Sequence, residues 1–205
     1  KLPEDTDEFS VAGALAGAPI NTVKAKTVDL MVPAEAEIVI EGYISTEFLE
    51  PEAPFGESHG HVNLQEYNAF MDVTCITRKK KAILTSIISQ VTPSESSVIK
   101  RVAYEPMFTE HLRDHLGIKG VIKVSMHEPL TNIRKLIIVI CERGMPSTEI
   151  WRAMYGAASL HRAAGKYVIA VNDDIDPDNA DAVFWAMAYR ANPALDVEIL
   201  KHRDS

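Results

Sequence analysis

Cysteine is scarce here: Cys75 and Cys141 are the only two in 205 residues. That is too few for a disulfide framework. Both sit inside apolar runs and read as buried thiols of a reducing, cytoplasmic compartment rather than as a disulfide. Long hydrophobic runs are missing, and none approaches the roughly 20 residues that span a bilayer. Positive charge is also short. Twenty-one Lys and Arg stand against 29 Asp and Glu, for a net charge of −8. The longest basic run, Arg78–Lys81, lies between two apolar runs and reads as a solvated turn. Phosphate backbones require concentrated positive charge, so nucleic acid is not an expected partner, and neither is a membrane. The opening KLPEDTDE is acidic and lacks the signal-peptide pattern. With no Met at position 1, the sequence reads as a fragment, a processed chain or the ordered part of something longer. There is no G-x-G-x-x-G, Walker loop, G-x-S-x-G or C-x-x-C, so the common nucleotide, hydrolase and zinc-ribbon readings have no support.

What is present is ordinary globular composition, 46% hydrophobic and 24% charged. The length suits one large domain or two small ones. No internal repeat or low-complexity segment interrupts it. The first half reads as β-structure. Asn21–Met31 alternates Val23, Ala25 and Thr27 against Lys24 and Lys26, and Glu37–Ile44 alternates roughly. Asn68–Thr77 and Ala82–Gln90 are two further β-rich runs around the basic turn. Closely spaced strands with turn signals suggest a barrel or sandwich.

The second half alternates strand and helix, the pattern of α/β packing. A helix opens at Pro93-Ser94-Glu95, with Thr92 or Ser94 as cap, and Pro106 is expected to break or kink it. Gly120–Val124 is a strand. Lys135–Cys141 is almost wholly apolar and is expected to be buried on both faces. From Pro146 a helix presents Ile150, Trp151, Met154, Tyr155 and Ala158 as a core-facing stripe. Tyr167–Val171 is a buried strand, Ala180–Arg190 a helix and Val197–Leu200 a last strand. The halves divide near residue 92, into domains 1–92 and 93–205 of a mixed α+β protein.

Three segments could carry chemistry. In Pro51–His61, PEAPFGESHGH, Glu52 and Glu57 flank Ala53-Pro54-Phe55-Gly56. Pro54 and Gly56 argue against a helix and for a compact turn able to bring both acids to one pocket. In such a carboxylate pair one member can stay protonated and act as an acid. The alternative is a polar surface loop with incidental acids. In the same segment His59 and His61 could form a metal pair, with Glu57 as a third ligand. Asp7-Glu8, before an apolar stretch, reads locally as a helix cap. Asp173, Asp174, Asp176 and Asp178 invite a calcium reading. The Gly and closing Glu of that loop are missing, however, so a strand end turning into a helix capped by Asp176 or Asp178 is the better account.

PEAPFGESHGH resembles the P-E-G-P-F-G-E-x-x-G-Y loop of the UbiD family of reversible decarboxylases. Three further segments agree in the same order. DEFSVAGALAG at 7–17 resembles the family's acidic residue followed by A-G-x-L-x-G. TVDLMVPAEAEIVIEG at 27–42 resembles its V-P-A-x-A-E-I-V-L-E-G strand. GKYVIAVNDDIDPDNADAVFWAMAYRANPALD at 165–196 resembles its D-D-D-I-D-P…W-A-x-x-T-R segment.

The resemblance implies a flavin-binding split barrel in the first half and an α/β domain involved in oligomerisation in the second. It implies a homo-oligomeric lyase that decarboxylates an aromatic or α,β-unsaturated carboxylic acid. The implied cofactors are prenylated FMN with Mn²⁺ or Mg²⁺, and K⁺ as a further ion. Residue by residue, the family's general acid falls on Glu57. The carboxylate that partners a catalytic arginine falls on Glu52, and a metal-ligating glutamate falls on Glu8. Ala53 replaces the family's Gly and His61 its Tyr. The family's remaining metal ligands, its catalytic arginine and much of its flavin site would precede Lys1. A flavin-binding lysine and a closing helix would follow Ser205. The resemblance is to the central portion of such an enzyme.

Overall fold

The structure is a computed structural model that describes residues 5–127 and 134–201. The chain forms two compact units. One comprises the residues up to Pro54 together with Leu64–Ser86, and the other comprises Phe55–Asn63 with the residues from Ile87 onward.

The first unit opens with α1, Glu8–Ala16. The Asp7 carboxylate caps it, accepting the Ser10 N–H at 2.8 Å. Gly17 ends it at φ +73°, a left-handed conformation that glycine adopts without steric cost. The run read as one strand over 21–31 is a hairpin of β1 (Thr22–Lys24) and β2 (Met31–Pro33). Its connecting loop is pinned by a buried carboxylate. Glu41 accepts the backbone N–H groups of Lys26 at 2.9 Å and Thr27 at 2.6 Å, and the Thr27 hydroxyl at 2.8 Å. These donors, the Lys26 N–H foremost, hold the Glu41 carboxyl below its ordinary range.

Glu41 lies in β3 (Ile38–Ile44). Strand β4 spans Glu50–Glu52, β5 Glu66–Asn68 and β6 Met71–Arg78. β3 pairs antiparallel with β6 through a bulge at Glu41/Gly42, and β4 pairs antiparallel with β5. Among the described residues the unit thus holds three separate two-stranded sheets and no closed barrel. The β-rich run Ala82–Gln90 forms no strand there. Its backbone finds no neighbouring strand, and Ile83 donates instead to the Glu37 carboxylate. Ala25 is the one buried hydrophobic side chain among the unit's described residues, whereas Ile40, Ile44, Val73 and Ile76 are exposed. Two-stranded ribbons without a covered apolar face are marginal in water.

The second unit has a full core. Helix α2 (Glu95–Glu110) starts with a capping box between Ser94 and Ser97. Of the two outcomes expected at Pro106, a break does not occur. The helix runs on to Glu110 and continues as a π-helical turn, His111–His115, because Phe108 and Leu112 are both fully buried and tie the two segments to one core. Strands β7 (Val121–Met126) and β8 (Leu136–Cys141) are antiparallel. Helix α3 (Ser147–Leu160) crosses over to β9 (Tyr167–Asn172), which is parallel to β8. β8 is central and covered on both faces. Ile137, Val139 and Cys141 pack with Phe108, Leu112, Ala153 and Ala157. Ile138 and Ile140 pack with Val171 and with Val183 and Ala186 of α4 (Ala180–Arg190). Alternating side chains of a strand point to opposite faces, which is why this run is apolar throughout. Cys141 and the half-buried Cys75 are free thiols, and burial pushes the Cys141 thiol up to about 11.

Three expectations are corrected here. Of the α3 stripe only Ala158 is buried. The core face is Ala153, Gly156 and Ala157, since the helix lies close to Leu112 and Leu116, where a Cβ on Gly156 would already collide. Asn179 caps α4, rather than Asp176 or Asp178. Val197–Leu200 is not a strand. The chain forms α5 (Pro193–Asp196) and then runs on without strand pairing, with the Tyr155 hydroxyl donating to Glu198.

The aspartates after β9 are structural. Asp174 accepts Arg190 Nη1 at 2.8 Å and Nη2 at 2.6 Å, and Asp173 accepts Arg143 Nε at 3.1 Å. The Arg190 hydrogen bonds pull the Asp174 carboxyl down to about 2. A folded-state value below the unfolded one of about 3.9 means that the clamp stabilises fully above that pH and fades as pH falls through the folded value. Asp174→Asn therefore lowers the unfolding midpoint at pH 7. The gap to the wild type closes as pH is taken from about 4 to about 2. Thermal melts across that range check it, and an unchanged gap at the acid end contradicts it.

Candidate active site

The tip of the acid loop is a small hairpin. Gly56 and Val62 form a β-bridge, the Glu57 N–H donates to the His61 carbonyl at 2.9 Å, and the Asn63 N–H to the Phe55 carbonyl at 3.0 Å. Gly60 closes the turn, donating its N–H to the Glu57 carbonyl at 3.0 Å with φ +87°. A three-residue hairpin loop with a left-handed glycine needs that freedom. The expected turn at Pro54 and Gly56 is displaced: residues 53–55 form no turn, Gly56 is bridge-paired, and the turn falls at residues 58–60.

Glu57 is half-buried, and its Oε1 accepts Asn63 Nδ2 at 2.8 Å across the hairpin. Ser58 is buried beside it, and its carbonyl accepts the Thr92 N–H at 3.3 Å. Gly56 lies against Gln90, where a Cβ would approach Oε1 to 2.9 Å. The segment before α2 therefore fixes the hairpin by a backbone bond on one side and a close approach on the other. Thr92 is itself buried, and its hydroxyl has no partner among the described residues.

Glu52 is exposed at the end of β4 and accepts Asn68 Nδ2. The β4–β5 register sets Glu66 directly opposite Glu52. Glu52 belongs to the first unit and Glu57 to the second. Sequence reasoning missed Asn63, Asn68 and Glu66. They act through cross-strand register, which no local pattern in the loop encodes.

The alternative metal set of Glu57, His59 and His61 is not assembled. The His59 and His61 ring centroids are 5.2 Å apart, but His59 Nδ1 is turned back to accept the His61 N–H at 3.2 Å. Among the described residues no three His, Cys, Asp or Glu side chains converge as a metal site. Glu8 is exposed in the first turn of α1, with Asp7 taken up in capping and no hydrogen bond to Glu8 among the described residues. Its carboxylate is a hard oxygen donor suited to Mn²⁺ or Mg²⁺. A single such donor is not by itself a metal site. No described helix is long and apolar enough to cross a membrane.

Two family models match the chain. The 3-octaprenyl-4-hydroxybenzoate carboxy-lyase Rift-related domain matches residues 1–91, and the 3-octaprenyl-4-hydroxybenzoate carboxy-lyase C-terminal domain matches residues 97–204. Among solved structures, an evolved dimeric form of the UbiD-class enzyme HmfF from Pelotomaculum thermopropionicum, in complex with prFMN, is 28% identical with a TM-score of 0.82. That match covers 98% of this chain and 45% of the other. Vanillic acid decarboxylase from Sedimentibacter hydroxybenzoicus shares the fold at 24% identity and a TM-score of 0.77, covering 99% of this chain and 43% of its own. So does apo 3,4-dihydroxybenzoic acid decarboxylase from Klebsiella pneumoniae, at 24% identity and a TM-score of 0.75, covering 92% and 40%. The chain thus spans less than half the length of these structures. The C-terminal-domain model alone takes in more than half of the 205 residues, and on that match the chain belongs to the UbiD family.

Proposed function

We propose that this chain carries the proton-donating part of a decarboxylase that releases CO₂ from an aromatic or α,β-unsaturated carboxylic acid. The observation that carries this reading is Glu57: a half-buried carboxylic acid held by Asn63 on a fixed hairpin, in a chain of this family. When bound, prenylated FMN supplies the electron sink that lets the carboxyl group leave. The protein supplies placement and a proton. Glu57 delivers that proton from its carboxyl oxygen to the carbon that has lost CO₂, while the hairpin keeps the carboxyl from swinging away. The Asn63 amide orients the group through one oxygen and leaves the other available to the substrate.

Glu52 is proposed as the partner of an arginine supplied from outside these 205 residues. Glu8 would be one ligand of a Mn²⁺ or Mg²⁺ ion, with K⁺ as a further ion. On this reading the strands of residues 1–92 are the central part of a split barrel, and 93–205 is an α/β domain through which a cytoplasmic homo-oligomer assembles. Among the first unit's described residues, the three open ribbons and the single buried hydrophobic side chain support strands and apolar cover from other polypeptide. The same two features favour a second reading, in which the chain is a non-catalytic subunit or a piece whose site another chain completes.

The test is decarboxylation by the intact protein, purified from cells that make prenylated FMN and run in D₂O against a panel of aromatic and α,β-unsaturated acids. The proposal expects CO₂ release with one deuterium at the carbon that bore the carboxyl group. A flavin-loaded protein that releases no CO₂ from any of them favours the non-catalytic reading.

A further inference from the structure

The two edges of the sheet in the second unit differ. The outer edge of β7 is closed. Thr109 Oγ1 and Glu105 Oε1 of α2 accept the N–H groups of Val124 at 2.9 Å and Met126 at 2.8 Å. A bulge at Val121/Lys123 further breaks its regularity. The outer edge of β9 has no such guard. Tyr167–Asn172 holds no lysine, proline or bulge, and among the described residues no strand lies beyond it. Tyr167 donates its N–H to the Lys135 carbonyl at 2.8 Å, so Tyr167, Ile169 and Val171 face β8. Val168, Ala170 and Asn172 turn their backbone groups outward. An edge left in this way is a template for another strand.

The segment Val197–Leu200 has strand composition but does not fill that edge. α3 covers one face of the sheet and α4 the other. An outward step over α3 and a second outward step over α4 to a parallel strand have opposite hands, and left-handed crossovers are rare. Charge points to the strand that does fit. Arg134, Lys135, Arg162 and Lys166 lie at the start of β9, where the Gly165 N–H reaches the Arg134 carbonyl at 2.7 Å. None of these four side chains forms an ion pair or hydrogen bond among the described residues, in a protein of net charge −8. Asp173, Asp174, Asp176 and Asp178 follow the end of the strand, and Asp176 is exposed without an ion pair. The edge is thus basic at one end and acidic at the other. An identical strand laid antiparallel sets each basic end on the other's acidic end, whereas a parallel one opposes like charges.

We propose that the outer edge of β9 pairs antiparallel with β9 of a second copy of this chain, about a twofold axis at Ala170, to make one continuous sheet. That register engages all three outward residues: Ala170 pairs with its own copy, and Val168 with the partner's Asn172. Ile169, on the same face as Val171, then meets the partner's Val171, and Lys166 meets the partner's Asp174. One patch serves both copies, as a twofold interface requires. This gives the homo-oligomer proposed above its interface, and it rests on that part of the reading and not on the decarboxylation.

The experiment is sedimentation of the intact protein, wild type and variants. The wild type is expected as an even-numbered assembly. Ala170→Pro removes an N–H that faces away from β8, a change an edge strand tolerates, so the mass should halve with the circular dichroism unchanged. Lys166→Glu should raise the dissociation constant at least about fivefold at low salt, and added salt should shrink the difference. Under mild oxidation Ala170→Cys should form a covalent dimer, its paired Cα atoms being about 5.5 Å apart. Val168→Cys, roughly 14 Å from its own copy, should not, and neither should the wild type with its buried and half-buried thiols. If Ala170→Pro does not fold, Lys166→Glu and the two cysteine variants decide. A monomeric wild type overturns the interface and the homo-oligomer together. An assembly whose mass survives in folded Ala170→Pro, whose affinity is unmoved by Lys166→Glu, or that links equally at 168 and 170 overturns the edge pairing and leaves the homo-oligomer standing.

Discussion

Glu57→Gln in the intact enzyme is expected to lower kcat for decarboxylation by about 10³-fold, while flavin content and thermal stability stay at wild-type levels. General acid catalysis contributes on the order of 10²–10⁴-fold, and an amide cannot supply the proton. The substitution is nearly isosteric, and the Gln carbonyl can still accept from Asn63 Nδ2 where Glu57 does now. The hairpin is also held by the Glu57–His61 and Asn63–Phe55 backbone bonds and by Gly60, none of which depends on the acid. Fold and flavin binding therefore survive, and the loss isolates the proton. Steady-state kinetics with flavin quantified by absorbance checks this, and wild-type turnover in the variant would remove Glu57 from the mechanism.

The largest structural effect is expected from Gly42→Ala, which should destabilise the first unit by about 3 kcal/mol or prevent its folding. Gly42 sits at the bulge where β3 shifts register against β6. A Cβ there would fall well inside contact distance of the Asp72 backbone carbonyl and against Met71 Cγ. A flexible side chain could give way, but a backbone carbonyl in a paired strand can move only by breaking the pairing. The neighbouring Glu41 makes the damage spread, because its carboxylate anchors the loop at Lys26 and Thr27. Denaturant unfolding of the intact protein measures the loss, and a midpoint equal to the wild type would show that the two strands are not held this closely.

The legible parts of this molecule are those set by local chemistry. Lys135–Cys141 reads as doubly buried because every position after Lys135 is apolar, and β8 is central. Asp7 reads as a cap because an acid precedes an apolar stretch, and it caps α1. The acid loop reads as non-helical because Pro54 and Gly56 exclude a helix, and it is non-helical, although its turn falls further on, at residues 58–60.

What was not legible depends on partners. Ala82–Gln90 has the composition of a strand, yet no strand among the described residues lies beside it to pair. Trp151 and Tyr155 carry larger apolar surfaces than Ala153 and Gly156, but close packing of α3 against Leu112 and Leu116 favours the smaller residues. Pro106 removes a donor from α2, and its sequence neighbourhood does not reveal that Phe108 and Leu112 hold the helix in place beyond it. In the candidate site, the two acids were visible while the two asparagines that hold them were not. Asn63 and Asn68 reach their acids only through the register of paired strands.

The most direct test of the central claim is the absorption spectrum and mass of whatever cofactor stays with the intact protein purified from cells that make prenylated FMN. The account predicts a bound flavin with the mass of prenylated FMN, in near-stoichiometric amount and released on denaturation. Protein that is folded and intact but carries no flavin would contradict it.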